Sequence, residues 1–472
     1  MTDRNPSGGS PLLALLILAL AFATMLLAGC TVGPDYKRPD LDLPKEYGIA
    51  QASVPAPERW WGVFNDPVLD GLVEEALAAN RDLRAAAERI EQARAQFVID
   101  RAALSPDAGI DASVTRSRAS QLGTVPIPPE FLTTTDHRLV LRASWEIDFW
   151  GKYRRATEAA RAELVASEAG RDAVRSSLVA DVVRGYFELQ ALDRRADVTE
   201  RTRVTRAKAF ELQKMRLDAG VVSELEYRQV ESDLRTTEAL VPVLRLARVR
   251  QEGTLALLFG RSPRGVYEAR VDLGTPVTPL VVEVPAGVPS DLLLRRPDLR
   301  QAEARLHAAN ARIGVARAAY FPSIKLTGDY GGESQSLGDL FSGPARTWNV
   351  AGGLLQPLFA GGQIRGGVDL ADARTREAAE VYQKAVANAF REVRDAIAAQ
   401  THLRDAFAAQ QQRVGSLDRT LELAKLRYDN GTTSLFELLD TERQLLLARL
   451  EAIAAERDRR DAIVELYIAL GG

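Results

Sequence analysis

The two halves of this 472-residue chain can be laid over one another, and that duplication limits its possible folds more than any other feature. Asp82-Leu83-Arg84 and Arg101-Ala102-Ala103, followed by Pro106, recur as Asp298-Leu299-Arg300 and Arg317-Ala318-Ala319, followed by Pro322, all displaced by 216 positions. Phe149 and Gly151 recur 210 positions later as Phe359 and Gly361. Glu211-Leu212, Lys214, Arg216, Asp218, Gly220, Ser223 and Glu231 recur 211 positions later as Glu422-Leu423, Lys425, Arg427, Asp429, Gly431, Ser434 and Glu442. Self-similarity of this kind marks one structural unit present twice. The displacement drops by six between the proline and the glycine, so the loop there is longer in the first copy, as expected of an exposed connection.

Each copy reads as helix, strand, strand, very long helix, tight turn and returning helix. No proline lies between Glu130 and Val241. A helix from about Lys152 to Leu217, roughly 65 residues at 1.5 Å rise, would be about 100 Å long, and the second copy repeats it from about Arg365 to Tyr428. Periodic patterns longer than about 25 residues argue for a coiled coil or helical array rather than a globular helix. Asp218-Ala219-Gly220 and Asp429-Asn430-Gly431 supply left-handed caps that reverse the chain, and Ser223 or Ser434 can accept amides at the start of each returning helix.

The strand segments are expected at about 106–118, 137–150, 322–334 and 346–359. Leu139, Leu141, Ala143, Trp145, Ile147 and Phe149 alternate with Arg138, Arg142, Ser144, Glu146 and Asp148, with Val140 the single lapse. Ala108, Ile110, Ala112 and Val114 alternate with Gly109, Asp111, Ser113 and Thr115. Ile324, Leu326, Gly328 and Tyr330 form a third series, and a glycine-rich run from Trp348 to Phe359 a fourth. Alternation alone fits half-buried soluble strands and lipid-facing strands equally. After Cys30 no run approaches eighteen apolar residues, so any membrane crossing must use strands closed into a barrel. Four strands cannot close one, and an open edge in lipid is costly, so several chains must share it. Cyclic closure would carry the attached helices into a hollow tube. Physics alone does not set the copy number, beyond requiring more than about eight strands for a conducting pore.

The N-terminus supplies a compartment. Pro11 to Ala28 is an almost wholly apolar run, too short to span comfortably, and it ends at Cys30, the only cysteine. Leu27-Ala28-Gly29-Cys30 resembles the bacterial lipobox, which implies an S-diacylglycerol and an N-acyl group on Cys30 after cleavage; the alternative is a chance cysteine after an apolar helix. Thr31 in place of aspartate points, by resemblance to lipoprotein sorting, to the outer membrane. The preceding charge is weak, with Arg4 offset by Asp3. A single cysteine permits no intramolecular disulfide.

Composition and scattered residues weigh on the other classes. At 26% charged and 46% hydrophobic the chain can bury a substantial core, and a net charge of -3 offers no basic field for nucleic acid. His137, His307 and His402 lack the close pairing of helical zinc motifs. Gly361-Gly362 and Gly366-Gly367 look like a phosphate loop only superficially, since no Lys-Ser or Lys-Thr follows. No enzyme activity and no cofactor beyond the covalent lipid are expected.

Several stretches together resemble the TolC-like outer-membrane efflux proteins, in their OprM/NodT-type lipoprotein branch. These are Cys30 to Tyr36, Arg295-Arg296-Pro297-Asp298-Leu299, Ala308-Ala309-Asn310-Ala311 running into Phe321-Pro322-Ser323-Ile324, Arg427-Tyr428 through Gly431 to Leu438-Leu439-Asp440, and the ending Leu466 to Gly472. The resemblance covers nearly the whole mature chain. It implies a mixed α/β, predominantly α membrane protein: a homotrimer whose twelve-stranded barrel, four strands per chain, continues into a periplasmic α-helical barrel. Residues 1–29 would be the signal peptide, 30–65 a lipid-anchored extended segment, 66–272 the first repeat and 273–472 the second. The implied activity is passive conduction of drugs or other toxic compounds out of the cell. The implied partners are a periplasmic adaptor, an inner-membrane RND-type transporter and outer-membrane lipid, with no nucleic acid.

By the same resemblance Asp440 and Arg443 hold the tunnel closed and Phe436 supplies an apolar constriction. Three residues apart, Asp440 and Arg443 share a helix face. Two like charges about 6 Å apart repel by roughly 0.7 kcal/mol in water and roughly 3 at an effective dielectric of 20, so symmetry-related copies near an axis would need counter-charges. The plainer alternative is an exposed helix pair worth a few tenths of a kcal/mol. Gly220, Val221, Ser223, Gly431, Thr432 and Ser434 are the implied adaptor contacts, although turn chemistry alone also selects such residues. A lipid-anchored periplasmic adaptor is the competing reading. Adaptors carry one helical hairpin, whereas this chain has two matched ones with strand pairs.

Overall fold

The computed structural model describes residues 31–44, 59–122, 127–274 and 292–472. Cys30 and the apolar leader lie outside the described residues. The chain divides into two compact units: the described part of Met1–Asp40 with Ile90–Ser167 and Ala302–Tyr382, and the described part of Leu41–Arg89, Glu168–Gln301 and Gln383–Gly472.

In chain order the helices and strands are α1 (Pro67–Ala79), α2 (Arg81–Ala102), β1 (Asp107–Arg118), β2 (Thr133–Ile147), α3 (Lys152–Asp218), α4 (Glu224–Leu258), α5 (Pro263–Tyr267), α6 (Leu292–Arg295), α7 (Pro297–Ala318), β3 (Ser323–Ser334), β4 (Arg346–Leu355), α8 (Gln363–Asp429) and α9 (Leu435–Ala469). The duplication is exact in length for four matched pairs. α3 and α8 have 67 residues each, α4 and α9 have 35, α2 and α7 have 22, and β1 and β3 have 12. Among the described residues no helix is long and apolar enough to cross a membrane.

The first unit is built on one antiparallel sheet in the order β1-β2-β3-β4. Its register runs without a bulge: Asp107 pairs with Ser144 and Arg118 with Thr133, Ile147 with Ile324, and Ser323 with Leu355. The strands differ from the sequence expectation at their ends. β2 begins at Thr133 rather than 137, because Thr133 to Asp136 continue the ladder with Thr115 to Arg118 beyond the apolar alternation. It stops at Ile147 because Asp148 turns to cap α3, accepting hydrogen bonds from the amides of Tyr153 at 3.0 Å and Arg154 at 2.8 Å, while Gly151 takes φ +77°. β4 ends at Leu355, ahead of Pro357, which has no amide to give a ladder.

The second unit has a continuous apolar core. A short 3-10 turn, Trp60–Phe64, places Trp60 against Tyr467 (ring centroids 5.4 Å apart) and Phe64 against Phe187 (4.7 Å). Leu69 and Val73 of α1, Tyr186 and Leu189 of α3, Leu255 of α4 and Val464 of α9 are fully buried around them. Asp66 fixes the entry to α1, accepting from the amides of Val68 and Leu69, and its second oxygen receives the Tyr186 hydroxyl at 2.6 Å.

Candidate gate, tip and membrane-facing surfaces

The three candidate gate positions, Phe436, Asp440 and Arg443, lie within the first three turns of α9, whose N-cap is Ser434. Asp440 pairs with Arg443 on the same helix face, and its other oxygen accepts from Gln444 Nε2 at 2.6 Å. Phe436 is 64% exposed on the single chain. An ion pair satisfied within one helix is also what an ordinary surface would show. What separates this place from one is the element packed beside it. Asp233 on α4 is half-buried, its carboxyl pushed up by desolvation, drawn down by Arg206 and Arg443 and pushed up again by Asp440. Arg206, on α3 and only 4% exposed, donates to Thr237 Oγ1 at 2.6 Å and to the Asp233 carbonyl at 2.9 Å, with the Asp233 carboxylate 3.5 Å away. Arg206, Asp233 and Thr237 thus form a buried polar cluster, and the Asp440–Arg443 pair acts on its Asp233 through the electrostatic field.

Sequence reasoning missed those three, although a signal existed. Displaced by 211, Arg206, Asp233 and Thr237 become Leu417, Gln444 and Ala448. The buried Arg206 has a plainly apolar counterpart, Leu417, so the two copies differ there in charge and not just in packing.

The tip residues form two near-identical reversals. Gly220 takes φ +70° and Gly431 φ +67°. The Val221 amide returns to the Arg216 carbonyl and the Thr432 amide to the Arg427 carbonyl, at 2.8 and 2.9 Å, which satisfies carbonyls left open at each helix end. Ser223 forms a full capping box with Glu226, and Ser434 accepts from the Glu437 amide. Val221 is exposed, as are Gly220 and Gly431.

The sheet sorts its side chains by face. Opposed residues in the register share a side, so one face carries Ile110, Val114, Leu139, Leu141, Trp145, Leu326, Tyr330, Trp348, Val350 and Leu354. Every carboxylate of the strands, Asp107, Asp111, Asp136, Glu146, Asp329 and Glu333, lies on the other. Arg138 joins Asp329 on that polar face at 3.2 Å, and Val140, the lapse in the alternation, is on it too. An apolar band closed by a Tyr330–Trp348 pair at one end and Trp145 near the other matches the outward surface and aromatic girdles of a membrane barrel. β1 and β4 are left as unpaired edges.

The family model described as outer membrane efflux protein matches residues 72–261 and 288–472, once in each copy of the repeat. The chain belongs to that family. It is 32% identical over 454 residues to the cation efflux system protein CusC of Escherichia coli K12, covering 95% of this chain and 97% of that one. The toluene efflux pump outer membrane protein TtgI of Pseudomonas putida is also 32% identical, over 475 residues that cover 96% of this chain and 97% of the relative. Among solved structures, the Campylobacter jejuni CmeC outer membrane channel superposes with a TM-score of 0.88 at 28% identity, covering 94% of this chain and 95% of that one. The open state of the Neisseria gonorrhoeae MtrE outer membrane channel gives 0.83 at 31%, with 94% and 98% covered. The fold class is that of the trimeric outer-membrane efflux channels, and the chain is the outer-membrane channel component of a tripartite efflux system. The adaptor considered from sequence is set aside, because the relatives are channel components.

This efflux-channel chain also shows why its N-terminal motif and the Ala308–Ala311 motif coexist. The Val32 amide donates to the Trp150 carbonyl at 3.0 Å, Asn310 Nδ2 donates to the Pro34 carbonyl at 2.9 Å, and Arg155 reaches Asp35 at 2.7 Å. Arg38 binds both oxygens of Glu303 at 2.7 and 2.8 Å, and Tyr36 stacks on His307 with centroids 4.7 Å apart. Burial and the neighbouring Glu303 push the Tyr36 phenol up, so it remains a donor to that carboxylate. The segment can lie so close only because Gly33 and Gly314 lack side chains. A Cβ on Gly314 would stand 2.6 Å from the Val32 carbonyl oxygen and 2.7 Å from Arg155 Cγ. Gly314→Ala is therefore expected to cost about 1–3 kcal/mol by overpacking, read as faster proteolysis of the N-terminal segment and a lowered melting temperature. Gly415→Ala, with nothing within 4 Å of its Cβ, should be neutral or slightly stabilising.

His307 is thereby a stacking partner that also meets Glu158 at 3.0 Å. Asp461 has a carboxyl raised to about 7, chiefly by desolvation. The charges acting on it are those of Arg184, Arg457, Asp458 and Glu465, in a region of ion pairs that includes Arg184–Glu465 and Arg457–Asp458. Among the described residues no group of three or more His, Cys, Asp or Glu could hold a metal.

Proposed function

We propose that three copies of this chain close one twelve-stranded barrel, continued by a periplasmic helical tunnel, that passively releases drugs or other toxic small molecules passed on by an inner-membrane RND-type pump through a periplasmic adaptor. The observation that carries this is the sheet: four strands with an apolar outward face and two open edges cannot rest in lipid as a single chain, because unpaired backbone groups there cost several kcal/mol each. The edges run in opposite directions, so β1 of one copy can pair antiparallel with β4 of the next. Equal identity, 32%, to a cation system and to a toluene pump follows the conduit rather than the cargo. Selection of the cargo then belongs to the pump.

Diacylation and N-acylation of Cys30 fit this placement. Thr31, the next residue, packs on Gly151 just past the end of β2, where the strands give way to helix. A lipid attached there meets the periplasmic leaflet of the outer membrane. Asp440, Arg443 and Phe436 form the gate at the N-terminal end of α9, and Gly220, Val221, Ser223, Gly431, Thr432 and Ser434 present the adaptor-contact surface.

The test is crosslinking in whole cells from cysteines placed singly at Val221 and Thr432, in a Cys-free tip background, to the adaptor expressed with this channel. Adducts from at least one tip site, together with trimers that migrate heat-modifiably from outer-membrane fractions, are the expected result. Trimers without any tip adduct would remove the adaptor contact, and monomers alone would remove the shared barrel.

A further inference from the structure

The outward face of the sheet carries permanent charge in one place. Its only permanently charged side chains are Arg116 and Arg118, at the last turn of the β1 ladder, and Arg346, the first residue of β4. All three lie at the strand ends away from the helices, just beyond Val114 and the Tyr330–Trp348 pair. All three are exposed. The strand carboxylates that could have neutralised them are on the opposite face, and among the described residues no ion pair joins any of them to Glu130 or Asp339 of the adjoining loops.

From this segregation we infer that Arg116 and Arg118 of one copy and Arg346 of the next form a binding site for the phosphate groups of outer-leaflet lipid. The inference rests on the proposed barrel and adds a ligand to it. Closing the barrel brings β1 beside the next copy's β4, about 4.8 Å away, and puts the exterior ends of both strands at the same height. Arg116 and Arg118 are two residues apart on one face, hence about 7 Å apart along the strand. Three guanidinium groups meet across the seam at the upper edge of the apolar band. That is the level of the exterior headgroups, since the helices occupy the other side. Arginine suits the place: its stem lies along apolar surface while its planar fork binds phosphate through two parallel hydrogen bonds. A cationic cluster with no strand carboxylate on its own face repels itself, and lipid phosphates are groups of opposite sign at that height. The loop after β3 adds an apolar partner for the acyl chains: Leu340 seats beside Gly332, and Phe341 and Leu337 stay exposed.

The experiment uses the full-length trimer in a zwitterionic detergent, with lipid A as probe, phosphorylated or enzymatically dephosphorylated, and bound lipid counted by native mass spectrometry. R116Q/R118Q/R346Q is expected to retain phosphorylated lipid A about tenfold to a hundredfold less well than the parent, while neither protein favours the dephosphorylated form. R116K/R118K/R346K should recover most of the retention, and R142Q, on the inner face, should not change it. Equal retention by the parent and the triple glutamine variant, or equal retention of both lipids by the parent, overturns the site. Should the triple variant not trimerise, the three single glutamine variants replace it, and undiminished retention in all three overturns the site equally. A parent protein that does not insert into phosphatidylcholine vesicles would overturn the barrel itself, whereas insertion with unselective retention overturns only the phosphate site.

Discussion

Replacing Asp440 and Arg443 together by alanine is expected to raise single-channel conductance in planar bilayers by roughly an order of magnitude, which corresponds to removing about 1.4 kcal/mol of bias toward the closed state. Asp440 is held by Arg443 and Gln444 on its own helix, and both members of the pair act on the half-buried Asp233 of α4. The pair thus touches a neighbouring helix electrically, and α9 cannot swing from α4 without changing the surroundings of Asp233 and the buried Arg206. A lone exposed pair would be worth a few tenths of a kcal/mol and its loss would leave conductance where it was. The double substitution is the informative one, because a single removal strands a charge and adds a penalty of its own. Unchanged conductance of the double variant would return Asp440 and Arg443 to the status of an ordinary helix pair and leave the gate unassigned.

Trp60→Ala should produce the largest loss of stability, about 3–5 kcal/mol for deleting a fully buried aromatic side chain. Trp60 is 1% exposed, lies parallel to Tyr467 near the end of α9 and meets Trp61 edge to face. Its removal leaves a cavity in the core shared by α1, α3, α4 and α9, where Tyr467 and Trp61 lose their ring contacts. Thermal unfolding of the purified channel checks this, with Trp60→Phe expected to cost less than half as much, because more of the volume is kept. Phe436→Ala serves as the contrast: an exposed aromatic on the same helix α9 should leave the melting temperature within about a degree, consistent with a surface change of under about 0.5 kcal/mol. A melting temperature for Trp60→Ala equal to the parent's would show that the core does not depend on its central ring.

Much of the molecule was legible in the chain. The order of helices and strands, the matched lengths of the two copies, the tip turns with their glycines and serines, and the apolar side of β1, β2 and β3 follow from periodicities of 3.6 and 2 and from residues a few positions apart; the glycine-rich β4 showed no face of its own. Strand ends were less legible. The polar Thr133 to Asp136 pair with β1 for reasons lodged in β1, and Asp148 leaves the ladder to cap a helix, a competition that alternation does not register.

What the tertiary structure decided was which distant residues meet. Arg38 and Glu303 are 265 positions apart, and nothing local in either segment names the other. The motif at 31–36 and the one at 308–311 looked like separate signatures, yet they are two sides of one contact that Gly33 and Gly314 make possible. Arg206, Asp233 and Thr237 were hidden for the same reason, being unremarkable singly and a buried cluster only when α3 and α4 pack. Local periodicity fixes a side chain's place on its own helix or strand through short-range sterics and burial. Pairing across hundreds of positions depends on how whole elements pack, and that information is spread over the entire chain.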